Sequence, residues 1–116
     1  MKKSITSLKK RADKLLQEKY TKIYHICLVC GKTPVQMHHY IPKGRSNQLR
    51  YEPLNLVPLC PGCHTKHHLS GDPHIQNTIE QIKGQEWVNS LEKRRYIFKK
   101  FNIGYLEEII KELEEK

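Results

Sequence analysis

The stretch that decides the fold runs from residue 27 to residue 68: CLVCGKTPVQMHHYIPKGRSNQLRYEPLNLVPLCPGCHTKHH. It is framed by two Cys-x2-Cys pairs, Cys27 with Cys30 and Cys60 with Cys63, separated by 29 residues. Four thiolates presented by two knuckles suit a tetrahedral zinc ion, and Gly31 and Gly62 offer the tight backbone geometry the sulfurs need. Four reduced cysteines packed as small apolar side chains would not require the same spacing twice. Redox Cys-x2-Cys chemistry requires only one such pair. The pattern therefore predicts a structural zinc site that staples a small core.

Between and just after the knuckles lie five of the chain's seven histidines: His38, His39, His64, His67 and His68. Short apolar runs predict strands over 26–30, 35–40 and 54–59, with His38 and His39 at the end of the second and Asn55 in the third. After Pro61 and Gly62, residues 64–69 predict a short helix. On it His64 and His68 are four apart and share a face, so both imidazoles can serve one ion; His67, three from His64, is the alternative to His68. Adjacent strand residues point to opposite faces, so His38 and His39 are expected to split their roles, one on a metal and one free. A free neutral imidazole beside a metal-bound phosphate is suited to general-base work. The competing reading of these histidines is a second closed zinc site.

Outward from this centre the chain is helical. Ile5, Leu8, Ala12, Leu15, Leu16 and Ile23 recur at helical spacing among basic residues. Ile75, Ile79 and Ile82 predict a helix ending near Gly84, and Trp87, Val88 and Leu91 a shorter one. Leu106, Ile109, Ile110 and Leu113 predict a last helix over 104–115 with Asn102 as its N-cap. The fold class is therefore α+β, one domain over 1–116: a basic N-terminal helix (1–24), a zinc-knuckle centre (25–70) and C-terminal helices (71–116). Its 116 residues are 37% hydrophobic and 28% charged, a composition with a small core.

Charge narrows the partners. The chain carries 21 Lys and Arg against 12 Asp and Glu, a formal +9, which favours a polyanion such as nucleic acid. The excess sits in residues 1–100, with 19 basic and 7 acidic side chains; residues 101–116 hold 2 and 5. No apolar run reaches membrane-span length, so no membrane partner is expected. Lys9, Lys10, Arg11, Asp13 and Lys14 break up any signal-like segment, so a cytoplasmic location is expected.

His38-His39-Tyr40-Ile41-Pro42, then Asn55-Leu56-Val57-Pro58-Leu59-Cys60, then Cys63-His64 with His68, resemble the HNH endonuclease motif in its zinc-knuckle form. The resemblance implies a ββα-metal fold and a metal-dependent endonuclease that cuts DNA to 5′-phosphate and 3′-hydroxyl ends. It implies that His39 is the general base, that His38, His64 and His68 hold the catalytic ion, and that Asn55 braces the hairpin that carries the base. Mg²⁺ or Mn²⁺ is the expected catalytic ion, with Zn²⁺ and Ni²⁺ as alternatives because imidazoles bind softer ions well. Lys43, Arg45 and Arg50 lie between the base and Asn55, placed to grip phosphates around the cut.

A wider likeness links Leu8 to Tyr20, Leu49-Arg50-Tyr51, Leu69-Ser70-Gly71-Asp72, and Ile82 to Glu86 with Leu91-Glu92. These segments resemble phage recombination nucleases of the NinG/Rap type. That likeness implies branched DNA or recombination intermediates as substrate, a phage-encoded chain acting in the host cytoplasm, and a homodimer if junctions are cut in pairs. The rival functions are a general nicking nuclease, a catalytically silent zinc-ribbon DNA-binding module and a structural zinc protein. A distal run, Lys93, Arg94, Arg95, Lys99 and Lys100 interleaved with Tyr96, Phe98 and Phe101, reads either as a second DNA contact or as a basic helix whose aromatics face the core.

Overall fold

The structure is a computed structural model that describes residues 4–69 and 73–115, with the backbone alone of His68 and Leu69. In chain order its elements are α1 (Ile5–Ile23), β1 (Gln36–His39), a 3-10 turn (Pro53–Asn55), β2 (Leu56–Leu59), α2 (Pro61–Leu69), α3 (Pro73–Lys83), α4 (Gln85–Arg95) and α5 (Ile103–Glu114). The fold is α+β, as its sequence predicts. The two strands form an antiparallel hairpin in which Met37 faces Pro58, His38 faces Val57 and His39 faces Leu56.

The hairpin divides the core because strand side chains alternate between faces. On one face Met37 and Leu56 join Leu8, Ala12 and Leu16 of α1, Tyr51, Phe101, and Leu106 and Ile110 of α5. On the other, Tyr40, Val57 and Leu59 join Cys27, Cys60 and Cys63, Ile75 and Ile79 of α3, and Leu91 of α4. Helix α1 starts where the Ser4 hydroxyl accepts the Ser7 amide at 3.1 Å, and α5 where the Asn102 side chain accepts the Tyr105 amide at 2.8 Å. The acidic last helix lies along α1, with Arg11 on Glu114 at 3.1 Å and Lys19 Nζ donating to the Glu112 carbonyl at 3.5 Å. Part of the positive charge of α1 is thus answered within the fold.

Three local readings are corrected. The strand expected over 26–30 is a knuckle turn: the Cys27 amide bonds the Lys32 carbonyl, the Gly31 amide bonds the Cys27 carbonyl, and the Leu28 amide goes to Pro58 of β2. Those donors are taken by the turn, so no ladder forms. Asn55 lies in the 3-10 turn just before β2 and not in the strand, because Glu52 caps that turn and Pro53 opens it. Gly31 does adopt the left-handed region at φ 76°, whereas Gly62 is an ordinary first-turn residue of α2 whose absent Cβ would lie 4.0 Å from the Cys60 sulfur. Only the first knuckle needs glycine for its conformation.

Candidate functional site

The sulfurs of Cys27, Cys30, Cys60 and Cys63 all lie within 4.8 Å of one another, and Cys30 and Cys60 approach to 3.4 Å. A tetrahedral zinc with Zn–S bonds of about 2.3 Å needs sulfurs about 3.8 Å apart, so the four fit a structural ion such as zinc. Their electrostatics agree. Burial would raise the Cys27 thiol, but the amides of Cys30, Cys60 and Val29 aimed at its sulfur outweigh this and bring it down to about 6. Burial and the neighbouring sulfurs push Cys63 the other way. Four thiols this close cannot all ionise without a cation among them.

Asn55 braces the hairpin loop. It is fully buried, its Oδ1 accepts the Ile41 amide at 2.8 Å, and its Nδ2 donates to the carbonyls of Ile41 at 3.0 Å and Leu49 at 3.3 Å. One side chain thereby closes the loop that leaves β1 and returns to β2. Asn55→Ala is expected to cost roughly 2–4 kcal/mol, because an amide and two carbonyls lose partners in the interior. Guanidinium unfolding checks this, and a loss under about 1 kcal/mol would contradict the brace.

His38 points toward α2. Its ring meets His64 edge-on at 5.5 Å between centroids and His67 at 4.8 Å. The described rings brought together are therefore His38, His64 and His67. His68 stands on the backbone of α2 one turn beyond His64, and its side chain lies outside the described residues. A cleft of about 250 Å³ is lined by His38, His39 and His64 together with Gln17, Gln36, Met37, Pro42 and Lys43. A second, of about 310 Å³, places His38 and His67 with Arg45 and Arg95.

His39 faces the opposite way, toward α1. Its Nε2 lies 2.8 Å from the Arg50 carbonyl. A carbonyl only accepts, so Nε2 carries the proton and Nδ1 is left as the acceptor of the neutral ring. Burial lowers the His39 pKa below the ordinary imidazole value, and the cation of Lys43 works in the same direction; the bond to Arg50 opposes them. The ring is held neutral, with one nitrogen available as a base.

The Arg50 side chain is engaged within the fold. It was expected to grip phosphate, but its Nε and Nη2 bind the two oxygens of Asp13 at 3.1 and 2.5 Å, with 15% of its side chain exposed. This pair fixes the Arg50 backbone whose carbonyl holds His39. Lys43 and Arg45 are exposed on the loop, one on each cleft. Asp13 and Gln17 were missed in the sequence. Gln17 donates Nε2 to the Met37 carbonyl and accepts the Met37 amide, both at 2.8 Å, and so pairs with β1 as a further strand would. Within the helical pattern of α1 nothing marks either residue, since both read as ordinary polar positions between apolar ones.

No described helix is long and apolar enough to cross a membrane. No curated protein and no solved structure matches the chain. The family comparison does match, over the span that carries both knuckles, the hairpin and α2. Residues 27–70 match the family model described as HNH endonuclease.

Proposed function

We propose that the chain is a metal-dependent DNA endonuclease in which His39 is the general base and His38 and His64, with His68 or His67, hold the catalytic ion. The observation that carries this reading is the shared cleft: His38, His39 and His64 line one cavity, and His39 is tied through Nε2 to the Arg50 carbonyl. The donor set fits a divalent ion, since imidazoles converge from β1 and α2. Such an ion supplies Lewis acidity toward the phosphate and stabilises charge on the departing oxygen.

The chain's own residues do the rest. His39 Nδ1 takes the proton of the attacking water, and its neutrality at physiological pH keeps that nitrogen ready. The Arg50 carbonyl and the Asp13 pair behind it hold the ring in one tautomer and one orientation, which is what proximity catalysis requires. Asn55 keeps the loop closed so that His39 and the cations Lys43 and Arg45 stay in register, and those cations receive phosphates on either side of the cut. The products of this reaction carry 5′-phosphate and 3′-hydroxyl ends. Residues 1–116 act as one nuclease domain.

Branched DNA is the substrate we infer, on the strength of the NinG/Rap likeness of the flanking segments. The test is cleavage of supercoiled plasmid, linear duplex, a fork and a four-way junction of one sequence, with Mg²⁺ or Mn²⁺. Nicking that requires the added ion and runs fastest on the fork or junction is expected. Equal rates on all four substrates reduce the protein to a general nicking nuclease, and no cleavage with either ion removes the catalytic reading. Paired symmetric cuts at the junction would mark a homodimer.

A further inference from the structure

Three consecutive apolar residues, Tyr96-Ile97-Phe98, join α4 to α5 and stand in water, at 79%, 53% and 85% exposure. Single exposed apolar residues are ordinary, but three in a row with two aromatic rings form a patch the fold does not use. The chain on either side is well held. Leu91 is buried on α4, Arg94 reaches Glu52 at 3.2 Å, the Lys99 carbonyl accepts from Asn47 at 3.2 Å, and Phe101 is buried near Tyr51 and Tyr105. Of the two readings of this run, the one in which its aromatics face the core holds for Phe101 and not for Tyr96 and Phe98, which lie beyond the end of α4.

Charge selects the partner. Residues 93–100 hold five cations and no carboxylate. Arg94 is paired with Glu52, Arg95 with Glu92, and Lys99 lies 3.9 Å over the Tyr105 ring, while Lys93 and Lys100 are exposed. Lysines are depleted from protein–protein interfaces. Exposed rings set among cations are the composition of a single-strand contact, where bases stack on aromatic faces and Lys or Arg follow the phosphates. A fully paired duplex hides its base faces. The tip also begins at the site: Arg95, whose guanidinium lies 5.4 Å from the Tyr96 ring, lines the cleft that holds His38, His67 and Arg45.

We propose that Tyr96 and Phe98 stack on unpaired bases of the DNA strand that enters the His38 cleft, with Lys93 and Lys100 on its phosphates. This rests on the nuclease reading and deepens it, because it names unpaired nucleotides beside the cut as the feature recognised.

The test compares the zinc-loaded full chain with a Tyr96→Ser/Phe98→Ser variant, whose altered side chains are largely exposed and outside the buried core. Binding is measured by anisotropy, without added catalytic ion, to a labelled duplex and to the same duplex with a central unpaired bubble. A 2-aminopurine in the bubble reports stacking. The variant is expected to lose on the order of tenfold or more in affinity for the bubble and its 2-aminopurine quenching, and to bind duplex within about twofold of the parent. Equal bubble affinity for the two chains overturns the proposal, as does equal loss on both DNAs, which marks a phosphate or folding effect. If the parent cuts plasmid in either case, the nuclease reading survives. A parent that neither binds nor cuts DNA overturns both. A variant that alters self-association and not bubble binding assigns the tip to a protein interface and also overturns the proposal.

Discussion

His39→Ala is expected to slow DNA cleavage by at least about 10²-fold while DNA binding persists, since general-base catalysis is commonly worth 10²–10⁴. The loss arises because His39 lines the cleft with its proton fixed on Nε2 by the Arg50 carbonyl, which leaves Nδ1 as the base; His38 and His64 meet ring to ring across the hairpin and α2. Alanine also leaves the Arg50 carbonyl without its partner, at a cost of roughly 1–3 kcal/mol, so some loss of thermal stability accompanies the loss of rate. His39→Gln separates the two effects. Its amide can still donate to Arg50 but is no base, so it should be as inactive as alanine and more stable. Imidazole added to the His39→Ala chain should restore part of the rate. Single-turnover cleavage with calorimetric melting checks all three, and a His39→Gln chain that cuts at the parent rate would remove His39 from the chemistry.

Removing the zinc is expected to unfold the centre of the protein. Structural zinc contributes about 10–16 kcal/mol of apparent binding energy in small finger peptides, as much as the whole stability of an ordinary domain. Here three of the four cysteines are buried in the same cluster as Val57, Leu59, Ile75 and Ile79, so losing the ion opens the core and the knuckle hydrogen bond from Leu28 to Pro58 together. Trp87 reports this directly. Its indole donates to the Leu54 carbonyl at 2.8 Å and its ring packs 4.7 Å from Tyr40. Chelation or Cys60→Ser should shift Trp87 emission to the red and abolish cleavage. Much of the helix signal should remain, because α1 and α5 bury a separate cluster. A Cys60→Ser chain that melts within a few degrees of the parent would deny the cysteines their role.

What was legible beforehand was what local pattern encodes. The knuckle spacing, the apolar stripes of α1, α3 and α5, and the Asn102 cap all depend on neighbours within one or two turns, and each appears in the fold. The alternation rule separated His38 from His39 correctly, because strand geometry sends adjacent side chains to opposite faces. What was not legible depends on partners far along the chain. Asp13 and Arg50 are 37 residues apart, and so Arg50 read as a phosphate contact until its guanidinium was found on a carboxylate. Gln17 and Met37 pair across 20 residues for the same reason. The run holding Tyr96, Phe98 and Phe101 read either as a DNA contact or as core aromatics, because sequence cannot tell which ring in a cluster turns inward; of the three, Phe101 does.

The most direct test of the account is anomalous diffraction from crystals of the zinc-loaded protein grown with Mn²⁺. It predicts a zinc peak among Cys27, Cys30, Cys60 and Cys63, and a separate manganese peak held by His38 and His64, with His39 uncoordinated. Manganese absent from those imidazoles, or bound through His39 Nδ1, would contradict it, because the proposed base would then be missing its ion or be spent as a ligand.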